Sequence, residues 1–461
     1  MNTTEVARGT AISVRKAIAT NTPKAVKLWV DAVDDPTERA RQLARLSPTD
    51  LRRLGELLDT QTAAKLIHSV DVPLAAKMLK ALPNSRVDEL LAAINSHRAA
   101  MILRHVDRAT REALLTAMPL ERANVLRGVL SWPADSVAAH ILPETLTVGP
   151  EVTAAQAIDE IRNQVTARGD DPHPGSYLYV CGPEQHLIGV VRFRRLVLAP
   201  ADQTVTELVE DDAATVSPLT DAEEAANLLT GRRVRELPVV DGDGRLIGIL
   251  TEDEAFDILE EEATANAERQ GGSAPLEVPY LRASPWLLWR KRIVWLLVLF
   301  AAEAYTGTVL RAFADEMEAV VALAFFIPLL IGTGGNTGTQ ITTTLVRAMG
   351  TGQVRLRDLP AILTKELSTG VLIAIAMAAA AVVRAWTLGV GPQITLTVSL
   401  TVAAIVMWSA FVASILPPVL KKLRVDPAVV SAPMIATIVD GTGLMIYFVI
   451  AHLTLPQLAG L

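Results

Sequence analysis

The stretch that decides the fold runs Asp426-Pro-Ala-Val-Val-Ser-Ala-Pro-Met-Ile-Ala-Thr-Ile-Val-Asp440-Gly-Thr-Gly-Leu-Met-Ile-Tyr-Phe448. It is apolar over about 20 residues, the length of a helix that crosses a bilayer. Asp440 lies well inside that length, and a carboxylate at membrane depth is costly unless it faces water, a partner or an ion. Small residues near it allow close helix approach: Ala432, Ala436, Gly441 and Gly443. We therefore expect Asp440 to be a functional residue of a membrane protein.

Charged and apolar residues are segregated along the 461 residues. Charges are concentrated in roughly the first 290 residues, and the remainder is strongly apolar. This pattern predicts a soluble part, expected in the cytoplasm, followed by an integral membrane part. The formal net charge of -7 argues against nucleic acid as a partner. The single cysteine, Cys181, excludes an intrachain disulfide framework.

Residues 1–143 have the spacing of amphipathic helices and no strand-like alternation. A short Ala-rich unit returns at a period of about 12 residues, beginning for example at Ala63 and Ala75. Such a period predicts an all-α, superhelical N-terminal domain of stacked helices. Ser47 and Ser85, each followed three residues later by an aspartate, are predicted to be N-caps.

Residues 144–251 have the pattern of an α/β fold. A strand, a helix and two further strands are predicted in this order, and the order occurs twice. The unit Leu-Ile-Gly appears at Leu187 and again at Leu246, which predicts two copies. The turn Asp241-Gly-Asp-Gly predicts a hairpin between two apolar runs. The run Leu237-Pro-Val-Val-Asp-Gly-Asp-Gly-Arg-Leu-Ile-Gly-Ile-Leu-Thr251 resembles a cystathionine-β-synthase (CBS) domain, and the whole segment resembles a tandem CBS pair.

The CBS resemblance implies a candidate nucleotide site. Nucleotide-binding members of the group carry Thr or Ser, two residues and then Asp after the last strand, where this chain has Thr251 and Glu254. Glu254 keeps an acid able to bond a ribose, so ATP is a candidate ligand of the pair. The first copy has Arg192 and Arg195 at these places, which argues against two equivalent adenosine sites. A dimerising module without a ligand and a cation sensor are the alternatives.

An acidic helix that links the soluble and membrane parts is predicted within residues 252–283. Its acids are Glu252, Asp253, Glu254, Asp257, Glu260, Glu261, Glu262 and Glu268. Like charges this close repel one another, and a divalent cation with hard oxygen ligands, such as Mg²⁺, would relieve the repulsion. The alternative is an ordinary solvated helix.

Five apolar spans are predicted within residues 284–461, near 292–311, 319–347, 366–386, 394–420 and 427–453. Lys and Arg are concentrated before the first span and in the loops after the second and fourth. This bias predicts a multi-pass protein of the cell (inner) membrane with its N-terminus in the cytoplasm and its C-terminus outside.

The second span contains several glycines between Pro328 and Gln340, which we expect to weaken the helix and open its backbone. Asn336 and Gln340 lie four residues apart, on one helical face suited to water or a hydrated ion. A seam of small residues at which helices pack closely is the other interpretation, and the two can hold together.

Two motifs carry a resemblance to a known membrane-protein family. They are Ala324-Phe-Phe-Ile-Pro-Leu-Leu-Ile-Gly-Thr-Gly-Gly-Asn-Thr-Gly-Thr-Gln340 and the opening stretch around Asp440. With the order of the parts, they make the chain similar to the MgtE family of magnesium channels and transporters. The expected fold is a multidomain membrane protein with a superhelical N-terminal domain, a CBS pair and a bundle of five transmembrane helices.

The resemblance implies a homodimer in the lipid bilayer with a pore between the two membrane parts. Asp440 is then the pore carboxylate that recognises Mg²⁺, supplied once by each subunit. Ala436 and Thr437 would set the pore width, with Gly335 and Asn336 nearby.

The resemblance also implies a gate in which the acidic helix acts as a plug and cytosolic Mg²⁺ keeps the pore shut. The candidate metal ligands of this gate are Asp426, Asp257, Glu262 and Glu254. Ala265 and Asn266 stand where the family often has two acids.

Three functions are therefore compared. The first is passive, Mg²⁺-gated uptake of Mg²⁺. The second is a proton-coupled divalent-cation transporter or exporter that uses Glu303 of the first span. The third is a membrane-anchored nucleotide sensor. An enzyme is not expected, because no nucleophile or phosphate-loop constellation is found among the seven histidines and the single cysteine.

Overall fold

The computed structural model describes residues 13–168, 175–210, 213–429 and 432–458. The chain divides into two compact units. The first comprises Met1–Glu261 and Glu277–Arg282, and the second Glu262–Leu276 and Ala283–Leu461. One long helix, Glu252–Gln270, contributes residues to both.

The first unit begins with a row of short helices around one continuous apolar core. They are α1 (Val14–Ala19), α2 (Pro23–Ala32), α3 (Pro36–Ala44), α4 (Pro48–Leu57), α5 (Thr60–His68), α6 (Val72–Lys80), α7 (Asn84–Ala92), α8 (Ser96–Arg104), α9 (Arg108–Ala117) and α10 (Leu120–Ser131). From α4 onward the helices begin at residues 48, 60, 72, 84, 96, 108 and 120. The predicted 12-residue helical period is confirmed.

The helix starts follow this period more closely than they follow the local capping signals. Ser47 caps α4 as predicted, because its Oγ accepts a hydrogen bond from the N–H of Asp50 at 3.1 Å. The predicted cap at Ser85 is wrong, because α7 begins at Asn84 and its N-cap is Pro83. Packing against neighbouring helices determines the residue at which α7 begins. Ser85 therefore lies in the first turn of α7 and does not cap it.

The α/β part contains a three-stranded and a two-stranded sheet. The first sheet has the order β1 (Thr147–Val148), β2 (Tyr177–Cys181), β3 (Leu187–Arg192), with β1 parallel and β3 antiparallel to β2. The second is the antiparallel pair β4 (Glu236–Val240) and β5 (Leu246–Thr251). The helices of this part are α11 (Ala154–Arg168), α12 (Phe193–Leu198) and α13 (Ala222–Arg232).

The predicted hairpin turn between β4 and β5 is confirmed. Asp241 Oδ1 accepts hydrogen bonds from the N–H groups of Asp243 and Arg245, both at 2.9 Å. Gly244 follows with a φ of +79°, a conformation that glycine adopts without strain. The first strand expected in the second copy is reduced to one bridge between Val216 and Val239. The helix α14 (Glu252–Gln270) begins directly after β5.

The second unit contains five helices long and apolar enough to span a membrane, counted within the described residues. They are α15 (Pro285–Ala312), α17 (Ile327–Gly350), α18 (Leu359–Thr387), α19 (Pro392–Lys422) and α20 (Ala432–Thr454), and a short α16 (Ala314–Ala319) follows α15. The predicted number of spans is confirmed. The fifth span starts later than expected, because Pro427–Val429 forms a separate short 3-10 helix.

The expectation that glycines open the second span is wrong. α17 is continuous from Ile327 to Gly350, and three of its glycines, Gly334, Gly335 and Gly338, lie where neighbouring helices approach. A Cβ added at Gly334 would come within 2.6 Å of Val439 on α20 and 2.8 Å of Ile405 on α19. The small-residue packing seam is therefore present, and close packing of α19 and α20 stabilises α17 as a helix.

Candidate functional site

Asp440 lies on α20 where this helix meets α17. A Cβ added at Gly335 would lie 3.2 Å from Ala436 Cβ and 3.7 Å from Asp440 Oδ1. The missing side chain at Gly335 thus brings the α17 backbone against the turn of α20 that carries the carboxylate. Asp440 Oδ1 is buried and has no hydrogen-bond partner within the described part of the chain. A carboxylate oxygen in this state can accept a hydrogen bond from water or from the hydration shell of a cation.

The other residues expected near Asp440 have different environments. Asn336 and Gln340 are both exposed on α17, as their spacing predicts. Thr437 is half-buried, and its hydroxyl donates to the carbonyl of Pro433 at 3.0 Å. The geometry thus brings Gly335, Ala436 and Asp440 together.

A second carboxylate, Glu303, lies on α15. Glu303 is exposed on this helix and interacts electrostatically with Asp440. The two helices touch at Gly441, where an added Cβ would collide with the ring of Tyr305 and lie 3.3 Å from Thr306 Oγ1. Glu303 therefore belongs to the electrostatic surroundings of Asp440.

Asp426 forms an ion pair with Arg269, in the last turn of α14. Arg269 Nη1 lies 3.1 Å from Asp426 Oδ2 and 3.7 Å from Glu262 Oε2. The same nitrogen donates a hydrogen bond to Asn266 Oδ1 at 3.0 Å. Two of the predicted metal ligands, Asp426 and Glu262, therefore share a guanidinium group. Asn266 orients that group.

Glu254 and Asp257, the other predicted metal ligands, belong to the first unit. Glu254 Oε1 lies 2.8 Å from His97 Nε2 and 3.2 Å from His140 Nδ1. Burial acts to raise the pKa of Glu254, but the two imidazoles outweigh it and lower the pKa to about 2. The pKa of Asp257 is raised, by partial burial and then by the charges of Glu254 and Glu260.

The candidate nucleotide residues do not converge on an open site. Thr251 Oγ1 accepts a hydrogen bond from the N–H of Glu254 at 3.4 Å, as a helix cap does. Thr251 also lines a cleft of about 20 Å³, close to the volume of one water molecule. Glu236 lines the same cleft, and its carboxylate accepts a hydrogen bond from the Tyr179 hydroxyl at 2.7 Å.

Sequence reasoning missed His97, His140 and Arg269. The histidines carry no recognisable spacing, because they lie far apart from each other and from Glu254 along the chain. Arg269 could have been identified from the sequence, because it is the one basic residue of α14. It lies three residues after Asn266 and seven after Glu262, which places it on the same helical face.

Comparison with known proteins matches three segments of the chain to family models. Residues 327–450 match a divalent cation transporter model named MgtE, residues 34–135 the MgtE intracellular N domain, and residues 205–261 the CBS domain.

Whole-chain relatives cover most of this sequence. The magnesium transporter MgtE of Thermus thermophilus is 35% identical over 337 residues, which are 73% of this chain and 74% of that protein. The magnesium transporter MgtE of Bacillus subtilis is 27% identical over 420 residues, or 90% and 88%. A solved structure, the cytosolic domain of the Mg²⁺ channel MgtE in complex with ATP, aligns with a TM-score of 0.48 at 24% identity, covering 54% of this chain and 99% of that one.

Proposed function

The chain belongs to the MgtE family of magnesium transporters, which are not enzymes, and we propose that it forms a homodimeric, channel-like pore for Mg²⁺ uptake. In this proposal the cytoplasmic parts are the helical domain 1–143, the CBS pair 144–251 and the linking helix 252–283. Residues 284–461 form the pore in the cell membrane.

The unpartnered carboxylate oxygen of Asp440 carries this proposal. It is buried in a membrane-spanning helix without a hydrogen-bond donor in the described part of the chain, and a carboxylate at this depth calls for water, a partner or an ion. Mg²⁺ gives up its water ligands reluctantly. A carboxylate can bind the ion through those waters. The Asp440 of a second subunit would supply a second carboxylate on the opposite side of the hydrated ion. Asn336 and Thr437 would line the same path.

The membrane potential supplies the driving force in the proposed orientation. Lys and Arg of the loops after α17 and α19 would face the cytoplasm, together with the first unit. Moving one charge across 100 mV is worth about 2.3 kcal/mol, so a divalent cation gains about twice that on entry. No second solute is needed to drive uptake.

Replacing Asp440 by asparagine tests the pore assignment, because it retains the side-chain shape and removes the charge. We expect Mg²⁺ flux into proteoliposomes to fall at least roughly tenfold, the effect of losing about 1.4 kcal/mol of ion binding. The matched control is Asp315→Asn, which removes an exposed acid on α16. Wild-type flux in Asp440→Asn would refute the assignment.

The gate is the second element of the proposal. Asp426 and Glu262 lie around Arg269 at the end of α14, and we place the closing contact there. Mg²⁺ in the cytoplasm would act on the acids of α14, including Asp257. Arg269 would supply part of the positive charge that a bound cation otherwise provides.

A proton-coupled transporter is the second candidate, favoured by the electrostatic interaction of Glu303 with Asp440 and by the contact of their helices at Gly441. Two carboxylates in close proximity can share a proton, and Mg²⁺ binding would then displace it. This candidate predicts Mg²⁺ flux driven by an imposed pH gradient without a membrane potential, and loss of that flux in Glu303→Gln. Flux that follows the potential alone, and survives Glu303→Gln, supports the channel instead.

ATP remains a candidate ligand of the CBS pair only if the small cleft beside Thr251 opens. Calorimetry of the full chain with ATP, with and without Mg²⁺, tests this third candidate. ATP binding combined with absence of Mg²⁺ flux would favour a nucleotide sensor over a transporter.

A further inference from the structure

Three side chains from distant parts of the first unit meet around one point. His97 comes from the first turn of α8, His140 follows a short 3-10 helix at Val137–Ala139, and Glu254 lies in the first turn of α14. One ligand atom from each lies within 4.8 Å of the other two. The His97 side chain is 7% exposed and those of His140 and Glu254 are 16% exposed. The cluster is therefore largely shielded from solvent.

The hydrogen bonding of His140 leaves one ring nitrogen directed at Glu254. His140 Nε2 lies 3.1 Å from the carbonyl oxygen of Ala134, which can only accept, so Nε2 carries a proton. In the neutral imidazole, Nδ1 then presents a lone pair toward Glu254 Oε1 at 3.2 Å. Two lone pairs at this distance repel. A proton on Nδ1, or a metal ion bound by both atoms, turns the repulsion into attraction.

His97 is close to Glu254 but is poorly oriented for hydrogen bonding. Its Nε2 lies close to Glu254 Oε1, but neither ring nitrogen has a partner with hydrogen-bond geometry in the described part of the chain. A buried imidazole whose nitrogens lack well-oriented hydrogen bonds loses free energy on folding, and such groups in native structures call for an explanation. Coordination of a metal ion through Nε2 would supply the missing interaction.

We propose that His97, His140 and Glu254 form a binding site for a divalent transition-metal ion, with Zn²⁺ as its best representative. Two imidazoles and one carboxylate suit Zn²⁺, Ni²⁺ or Co²⁺, whereas Mg²⁺ takes oxygen ligands and retains water. Histidines that bind a metal through one ring nitrogen commonly donate a hydrogen bond from the other. His140 Nε2 donates such a hydrogen bond to the carbonyl oxygen of Ala134. Water would fill the fourth position.

Two nearby charges bear on the affinity of this site. Arg98 follows His97 and interacts with Glu254, which disfavours a cation. Asp257 interacts with both Arg98 and Glu254 and partly offsets that effect. The Arg98 guanidinium is occupied by the carbonyls of Val70, Ile67 and His68, so its charge is directed away toward the end of α5.

Metal binding would tie α8 and the segment before β1 to the first turn of α14. Because α14 continues into residues of the second unit, the bound ion would alter Mg²⁺ flux. This consequence rests on the proposed function, whereas metal binding itself does not.

The test titrates purified full-length protein with Zn²⁺ in a large excess of Mg²⁺, with a chromophoric chelator as competitor. We expect about one Zn²⁺ per chain that Mg²⁺ does not displace, and a loss of affinity of roughly 10–100-fold or more in His97→Ala and in Glu254→Gln. His105→Ala, which removes an exposed histidine just beyond α8, is the matched control and should bind as the wild type does.

Cobalt supplies an independent signature, since Co²⁺ bound by the cluster should give an intense visible spectrum that is absent in His140→Ala. Circular dichroism of each variant shows whether it has folded. If a variant of a ligand residue has not folded, His140→Gln is tested in its place. Equal Zn²⁺ affinity in the wild type, His97→Ala and His105→Ala would overturn the proposal, as would displacement of Zn²⁺ by equimolar Mg²⁺. Because binding is measured without transport, this result is separate from that of Asp440→Asn.

Discussion

Arg269 is the residue whose replacement most directly tests the proposed gate. Its guanidinium lies between Asp426 and Glu262, at 3.1 and 3.7 Å, and Asn266 holds it there. Arg269→Gln retains much of the side-chain length and can still bond Asn266, but it removes the charge. The two acids are then left without their common partner.

The size of the effect follows from the exposure of the pair. Arg269 is 30% exposed, and Asp426 and Glu262 are 41% and 39% exposed, so solvent screens the interaction strongly. Ion pairs of this kind contribute at most about 0.5–1 kcal/mol. If opening separates Arg269 from Asp426, its loss favours the open state by about two- to fivefold.

Removing the charge has a second effect of opposite sign. Two carboxylates without a guanidinium between them attract Mg²⁺ more strongly. Arg269→Gln should therefore conduct more than the wild type when Mg²⁺ is absent on the cytoplasmic side, and should be closed by less Mg²⁺ on that side. The two titration curves are expected to cross.

The assay is Mg²⁺ current across a planar bilayer, with Mg²⁺ varied on the side that exposes α14. The matched control is Arg357→Ala, because Arg357 is a 77% exposed arginine whose contact to Asp358 is long, at 3.8 Å. Arg357→Ala should follow the wild-type curve. Curves for Arg269→Gln and the wild type that coincide at all Mg²⁺ concentrations would refute the role given to Arg269.

Two further predictions concern packing and the CBS cleft. Gly338→Ala places a Cβ 2.8 Å from Ser409 Oγ and should destabilise the membrane bundle by about 1–3 kcal/mol, seen as a lower melting temperature in detergent. The control is Gly332→Ala, whose added Cβ meets nothing within 4 Å, so its melting temperature should be no lower than that of the wild type. Equal melting temperatures of the two variants would contradict the close packing proposed at Gly338. Glu236→Ala removes a buried carboxylate from the small cleft and should raise ATP affinity in calorimetry, whereas Glu160→Ala, at an exposed acid, should not. Unchanged ATP binding in Glu236→Ala would show that this carboxylate does not restrict the cleft.

The features that sequence predicted well are local ones. The 12-residue helical period, the turn at Asp241 and the five apolar spans each depend on neighbouring residues in the chain, and each is present in the structure. The carboxylate at Asp440 was identifiable because a charge inside an apolar span is rare on its own.

The features that sequence predicted poorly depend on packing between elements. Glycines in α17 weaken an isolated helix, but here they allow α19 and α20 to approach, and that packing decides the outcome. Ser85 has a capping signal that the stacking of neighbouring helices overrides. His97 and His140 meet Glu254 only through the tertiary fold, so no spacing in the sequence could indicate their cluster.

The acidic helix α14 therefore has three regions with different electrostatic surroundings. In its first turn Glu254 faces two imidazoles, which favour a transition metal over Mg²⁺. In its last turn Arg269 already supplies a positive charge. The acids between them have neither of these partners in common and are the proposed region for Mg²⁺. The raised pKa of Asp257 means that its ionisation costs stability as pH rises through its titration, and a bound cation would offset that cost. We infer that cytosolic Mg²⁺ acts chiefly on this middle region.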